Sequence, residues 1–429
     1  MSSSLGVSAA GGATSSGYTC GGAAGTVYVV NGTTSSLIFD NSDGSSDSST
    51  CTLFPPELSG VQLRQLSILR KACVDLRQSV KNNDVRAYLL DIDGSSKMTG
   101  DGIVIDTCAA NLRGQITCTS ALQLHNAQSG VGLVTAYTGS SMTCSSCTVK
   151  MSLTGSHVML QGTVSASTLE ITGVERISLA GSLTANASEL AIAAGSANIS
   201  GTATCSGSAC SIRVSVNTTL EVGGTVRCSG NNQCLVDVVS GWSALVGGSI
   251  TGSDIRMVIA GSLQVIGTIT ASGQGYAESA GDGKGNRSSY TSSASSDSFR
   301  VSGSGGGHGG NGANSCYQYA SGYGTTASGG GSYGSSIVPR TFGSGGGRSC
   351  YSHSDCRWYG AGGSGGGRIL MNASLIEIAI GAIVSADGTS GGNWSGGTIY
   401  GSGGAGSGGS ILIEPWPAAQ PCEEKSSTE

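Results

Sequence analysis

The sequence predicts an all-β chain wound as a right-handed parallel β-helix (a solenoid) that carries a glycine-rich insertion. Three observations point there. A short motif returns at steps of 19 to 24 residues: GTVSA at Gly162, GSLTA at Gly181, GTATC at Gly201, GTVRC at Gly224, GSITG at Gly248 and GTITA at Gly267. Between copies, apolar residues alternate with polar ones, as in Ile177, Leu179, Leu183 and Ala185, or Ile212, Val214 and Val216, the period of a strand with one buried face. Proline is scarce at six residues while glycine reaches 73, which suits many short strands joined by tight turns. A repeat near 20 residues without helical spacing reads as one coil of a stacked solenoid. A four-stranded propeller blade needs about 40 residues, so a propeller or sandwich is the weaker reading.

Along the chain, residues 1–60 form a glycine- and serine-rich segment with short strands. Residues 61–100 read as a cap or transition. There GVQLRQLSILRKACVDLRQSV sets Leu63, Leu66, Leu69, Cys73, Leu76 and Val80 on one face of a helix able to cover a sheet edge. Residues 101–275 hold the coils, with degenerate copies at Gly114 and Ser140 and the repeat glycine at a corner of each turn. Residues 276–368 are a Gly/Ser/Tyr-rich insertion, 369–417 resume the coils, and 418–429 read as a disordered tail.

Fifteen cysteines suit an oxidising compartment. Cys144/Cys147, Cys205/Cys210 and Cys228/Cys234 occur as both-or-neither pairs among the repeats, which favours staples within a turn. Pairing between stacked coils, such as Cys205 with Cys228, is the alternative. Zinc at CSSC lacks a matched second half, and no metal site is assigned. Asn31, Asn186, Asn198, Asn217, Asn286, Asn372 and Asn393 stand in glycosylation sequons.

Charged residues make up 11% of the chain, against roughly 25% in ordinary soluble proteins. The net charge of −5 gives nucleic acid little footprint. The densest basic stretch, Arg64 to Arg86, is interrupted by Asp75 and Asp84 and reads as a solvated face. No apolar run is long enough to span a membrane, and the start lacks the basic and apolar regions of a secretory signal. The expectation is a fragment of a longer extracellular or cell-surface protein of unassigned oligomeric state.

GSGGGHGGNG near Cys316, GGGSYGSSIVPRTFGSGGG, GAGGSGGGRILM, GAIVSADG, GAGSGGSILIE and the N-terminal CGGAAGTVYVVNGTTSSLIFDNSDGSSDSSTCTLFPPEL together resemble large plant and algal glycine-rich proteins. Related segments occur in oomycete and other protist surface proteins. The resemblance covers residues 20–60 and 270–415 best. It implies an extracellular place, with cysteine-rich modules and a membrane anchor beyond such regions, and carries no catalytic residues.

The expected function is therefore a structural or adhesive surface region that meets cell-wall or surface glycans. His308, Tyr319, Tyr323, Tyr333 and Trp358 are the candidate carbohydrate contacts, because exposed aromatic faces stack on sugar rings. The alternatives are a carbohydrate-binding module or a pectin lyase-like hydrolase or lyase, since Gly307-His308-Gly309 resembles a triplet of pectin-cutting β-helices. Such a hydrolase needs a carboxylate pair. The chain has no Asp-Asp dipeptide, Asp237, Asp254 and Glu221 share no column with a second carboxylate, and Leu370 follows Arg368-Ile369 where a lysine belongs. No cofactor is expected. Calcium is the candidate ion at Asp40–Ser49, Asp91–Lys97 and Asp282–Asn286, where aspartates meet glycine turns that form equally well without metal.

Overall fold

The computed structural model describes residues 25–31, 34–41, 51–76, 84–126, 132–230, 234–290, 300–315, 317–318, 324–325, 327–335, 338–350, 359–394 and 401–415. The expected tail 418–429 lies outside them. The chain is all-β, with about nine turns of parallel stacked strands. It divides into two compact units, Met1–Val226 and Arg227–Glu429.

In the first unit each turn has three faces. One full turn runs 163–166, 168–172 and 176–179. Its strands lie parallel to 141–144, 148–152 and 157–160 before it, and to 182–185, 190–194 and 197–199 after it. Parallel register puts like residues over like. Ile116, Met142, Val164, Leu183 and Ala203 form one column on the first face, all buried. Small residues fill the end of that strand: Gly100, Cys118, Cys144, Ala166, Ala185 and Cys205 stack in register. The repeat glycines sit at the corner entering this face. A Cβ on Gly181 would overlap the carbonyl oxygen of Gly162 below it, so the corner stacks only without a side chain.

Two sequence expectations change. Residues 62–76 are not helical: strand Gln62–Leu69 lies parallel to Thr34–Asp40 on one side and to Asp84–Ile92 on the other, and Cys73–Asp75 pairs with Lys97–Leu112. The three-residue step from Leu63 to Leu66 is a strand turning a corner, since Leu63 pairs with Ala87 and Leu66 with Leu90 across a break at Arg64. The coils thus begin near residue 34 instead of 101. The antiparallel strand Gly25–Asn31 closes the free edge of Thr34–Asp40.

In the second unit, Asp254–Val265 pairs in parallel with Arg368–Ile378, and Thr268–Thr270 with Ile383–Ser385. Residues 271–367 therefore leave and rejoin the coil at one corner, and 386–409 leave at the same corner one turn later, before Ser410–Pro415 pairs with Arg368–Ile378. The within-turn cysteine pairs occupy the equivalent corner: Cys144–Cys147, Cys205–Cys210 and Cys228–Cys234 are bonded, with Cα separations of 5.4, 5.8 and 5.6 Å. Cys51–Cys73 joins neighbouring turns instead.

The excursions form a layered bundle of glycine segments. Gly403, Gly406 and Gly409 donate N–H bonds to the carbonyls of Gly392, Thr389 and Ala386 (2.9, 3.0 and 2.7 Å). Gly404 and Ser407 donate to Gly347 and Ser344, both at 2.9 Å, while Ser402 and Ala405 accept from Gly303 and Gly306. Partners thus rotate with a period of three among several neighbours, where a strand alternates between two. Three residues per turn with all hydrogen bonds directed outward is the geometry of an extended polyproline-II helix. Chains pack this closely only where no Cβ intervenes: one on Gly403 would overlap the Ala361 carbonyl, and one on Gly366 that of Ala386.

Candidate functional site

The first face of the first unit carries an ordered polar array. Gln115, Ser141, Thr163, Ser182 and Thr202 stand in one rank, and Thr117, Thr143, Ser165, Thr184 and Thr204 in a second. All project outward, since the residue between them on each strand is buried. Coils stack about 4.8 Å apart and alternate residues lie about 6.6 Å apart along a strand, so the side chains occupy a nearly rectangular lattice. From Thr117 to Thr204 the two ranks contain no charge and no aromatic ring. The neighbouring faces differ. One carries Lys150 bridged to Glu170 (3.1 Å) and Arg213 to Glu189 (3.3 Å), and the other His157 beside Glu175 (3.5 Å) and Asn198 bonded to Glu221 (2.8 Å). Alternation alone does not signal this lattice; alignment of the repeats on their corner residues does, because hydroxyls, with Gln115 the one exception, then recur one and three residues later.

In the second unit, a cleft of about 420 Å³ is lined by Asp237, Asp254, Arg256, Arg340, Arg368 and Leu412. Register places Asp237 beside Arg256 and Asp254 beside Arg368. The Arg368 guanidinium donates from Nε to Asp254 Oδ1 at 2.6 Å and from Nη1 to the Arg340 carbonyl at 2.9 Å. Its hydrogen bond to Asp254 raises its pKa still further, so it stays charged. Asp237 and Asp254 do share this cleft, although neither stacks on the other. One carboxylate is held by a guanidinium, while Oδ1 of Asp237 is buried without a hydrogen-bond partner among the described residues.

His308 lies in the glycine bundle. Its Nε2 is 2.7 Å from Thr341 Oγ1, and its ring meets Tyr333 edge-on at 4.9 Å between centroids. The Tyr333 hydroxyl donates to the Phe342 carbonyl and accepts from Ser344 Oγ (2.8 Å). These contacts anchor two glycine segments to a third. The open side of the pair borders a cavity of about 550 Å³ that Pro339, Ser410 and Ile411 also line. Tyr319, Tyr323 and Trp358 lie outside the described residues.

Burial lowers the His308 pKa from its usual value of about 6.5. The unfolded chain then takes up the proton more readily than the folded one, so stability is complete above the unfolded value and falls as pH drops through it. An NMR titration should place the His308 midpoint below that of a free imidazole, and His308→Gln should flatten the acid side of the stability profile. A midpoint at or above 6.5 would show that burial does not disfavour the charged ring.

Of the calcium candidates, Asp93 is occupied by donors. Arg70 N–H, Ser95 N–H and the Ser95 and Ser96 hydroxyls all bond its carboxylate. Burial pushes its pKa up, but these bonds outweigh that and hold it below the ordinary carboxylate value. It secures the turn at Arg70 and Lys71, both with positive φ. Asp40 pairs with Arg70, and residues 42–49 lie outside the described set. Asn286 bonds the Ser328 carbonyl at 2.9 Å on the exposed side of the bundle.

Among the sequons, Asn186, Asn198, Asn217, Asn286 and Asn393 are exposed. Asn372 lies mid-strand with a buried Oδ1, which leaves a glycan little room there. The Asn31 side chain lies outside the described residues. Comparison with known proteins returns no match: no family model fits the chain, and neither a curated protein nor a solved structure matches it.

Proposed function

We propose that this chain is a non-enzymatic, extracellular structural or adhesive solenoid that holds a repetitive, uncharged surface against its hydroxyl face. The observation that carries this reading is the in-register double rank from Gln115 to Thr204. Hydroxyls both donate and accept, so a lattice of them complements a neutral polyhydroxyl polymer without demanding a charge partner. Surface or cell-wall glycans have that chemistry. The bonded cysteines suit an oxidising compartment, and among the described residues no helix is long and apolar enough to cross a membrane.

The test is retention on insoluble plant and algal polysaccharides. Thr184→Glu with Thr204→Glu should lower retention about tenfold, the equivalent of roughly 1.4 kcal/mol, while Arg213→Gln on the neighbouring face should not. Ice is the other neutral hydroxyl lattice. Adsorption to growing ice that the same pair abolishes, without polysaccharide binding, would replace glycan by ice as the partner. Retention indifferent to the pair refutes the role of the face.

A second reading, a carbohydrate-active solenoid, draws on the cleft, whose lining brings the Asp237 and Asp254 carboxylates together. Turnover of a polysaccharide that Asp237→Asn or His308→Ala abolishes would displace the structural reading.

A further inference from the structure

Three sulfurs meet in the interior of the first unit. Cys118 stacks in register against Cys144 from the next coil, and Cys147 follows at the corner. All three are at least 95% buried, with relative exposures of 2%, 0% and 5%. Cys118 Sγ lies 2.7 Å from Cys144 Sγ and 3.5 Å from Cys147 Sγ, and the three ligand atoms fall within 4.8 Å of one another. The other within-turn pairs differ: Cys205–Cys210 and Cys228–Cys234 belong to no such three-ligand group among the described residues. The third ligand that CSSC lacks in sequence therefore comes from the neighbouring coil.

We propose that Cys118, Cys144 and Cys147, in their reduced form, bind one soft d10 cation, with copper(I) preferred over zinc. Thiolates select such ions. No fourth His, Cys, Asp or Glu joins the group among the described residues; zinc almost always takes four ligands in structural sites, whereas copper(I) is satisfied by two or three thiolates. The site is redox-gated. The structure holds the Cys144–Cys147 disulfide, which removes two ligands. A dithiol supplies two electrons and its two protons and becomes a disulfide, or a phosphine supplies the two electrons while one water gives its oxygen to the phosphine oxide and its two protons to the thiols; either way the S–S bond is cleaved. Metal entry then displaces thiol protons to solvent. Burial raises the Cys118 pKa to about 11, and a bound cation reverses that penalty by stabilising the thiolate.

The test uses the full chain, reduced anaerobically with a phosphine and titrated with copper(I) held by a coloured competing chelator. Wild type should show a tight site that Cys118→Ala weakens at least 10–100-fold, the loss that even an outer-shell change produces. Cys205→Ala should leave that site intact. Ala166 and Ala185 already occupy the Cys118 column, so alanine fits there. Bound copper should also shield Cys118, Cys144 and Cys147 together from alkylation, read by mass spectrometry. Superimposable titrations for wild type and Cys118→Ala, a preference for zinc, or loss of the β-sheet signal on reduction would each overturn the proposal.

Discussion

Replacing Gly403 with alanine is expected to cost about 3 kcal/mol, the upper end of the usual range for overpacking. The new methyl group would press on the Ala361 carbonyl, which is backbone and has no rotamer to move away. Its effect should spread along the segment, because Gly403, Gly404, Gly406 and Ser407 each bond a different neighbour or register position. Amide hydrogen exchange should accelerate at those residues and at their partners 386–392, while amides of the first unit keep their protection. Gly309→Ala is the control, since a Cβ there meets nothing within 4 Å; it should stay within about 0.5 kcal/mol. Equal behaviour of the two variants would show that the glycine segments are not in close contact.

Leu183→Ala should destabilise the solenoid by about 2–5 kcal/mol. Leu183 is wholly buried, between Val164 on one coil and Ala203 on the next. Because Ala203 is already small, the cavity cannot be filled from that side. Solenoid turns contact only their neighbours, so the damage should be local and lower the cooperativity of unfolding as well as the midpoint. Leu183 also underlies Ser182 and Thr184, so the same variant should roughen the hydroxyl face and reduce retention. Denaturant unfolding followed with two probes tests this; a loss under about 1 kcal/mol would place Leu183 outside a packed column.

The coils were legible in the sequence because parallel register repeats the same demand at every turn: a glycine at the corner, then an inward residue between two outward ones, as in Gly181, Ser182, Leu183 and Thr184. The within-turn cysteine pairs were legible for the same reason. Corners misled. Where a strand bends, inward residues step by three, and the run from Leu63 to Leu69 imitates a helix face. Cys118 carries no local signature because its partners lie 26 and 29 residues away and only register joins them. The glycine-rich insertion was legible from composition, but the pairing of its segments left no pattern. Its partners are chosen by backbone groups, which every residue carries alike, and a residue without a side chain cannot advertise which neighbour it faces. His308 shows the consequence: a Gly-His-Gly triplet suggests chemistry, while the ring's Thr341 and Tyr333 contacts only become visible once segments 303–315, 327–334 and 341–349 lie side by side.

The glycine bundle also has a thermal consequence. The solenoid core is held by buried Val, Ile and Leu columns, and apolar burial gives unfolding a large positive heat capacity change, so its stability peaks and then declines on cooling. The bundle is joined mainly by backbone hydrogen bonds between residues that have little apolar surface to bury. Exposing polar surface lowers heat capacity, so the bundle's own opening should carry a small heat capacity change and a flatter stability curve. Near freezing, the corner excursions would then retain their order while the columns beneath them lose part of their driving force.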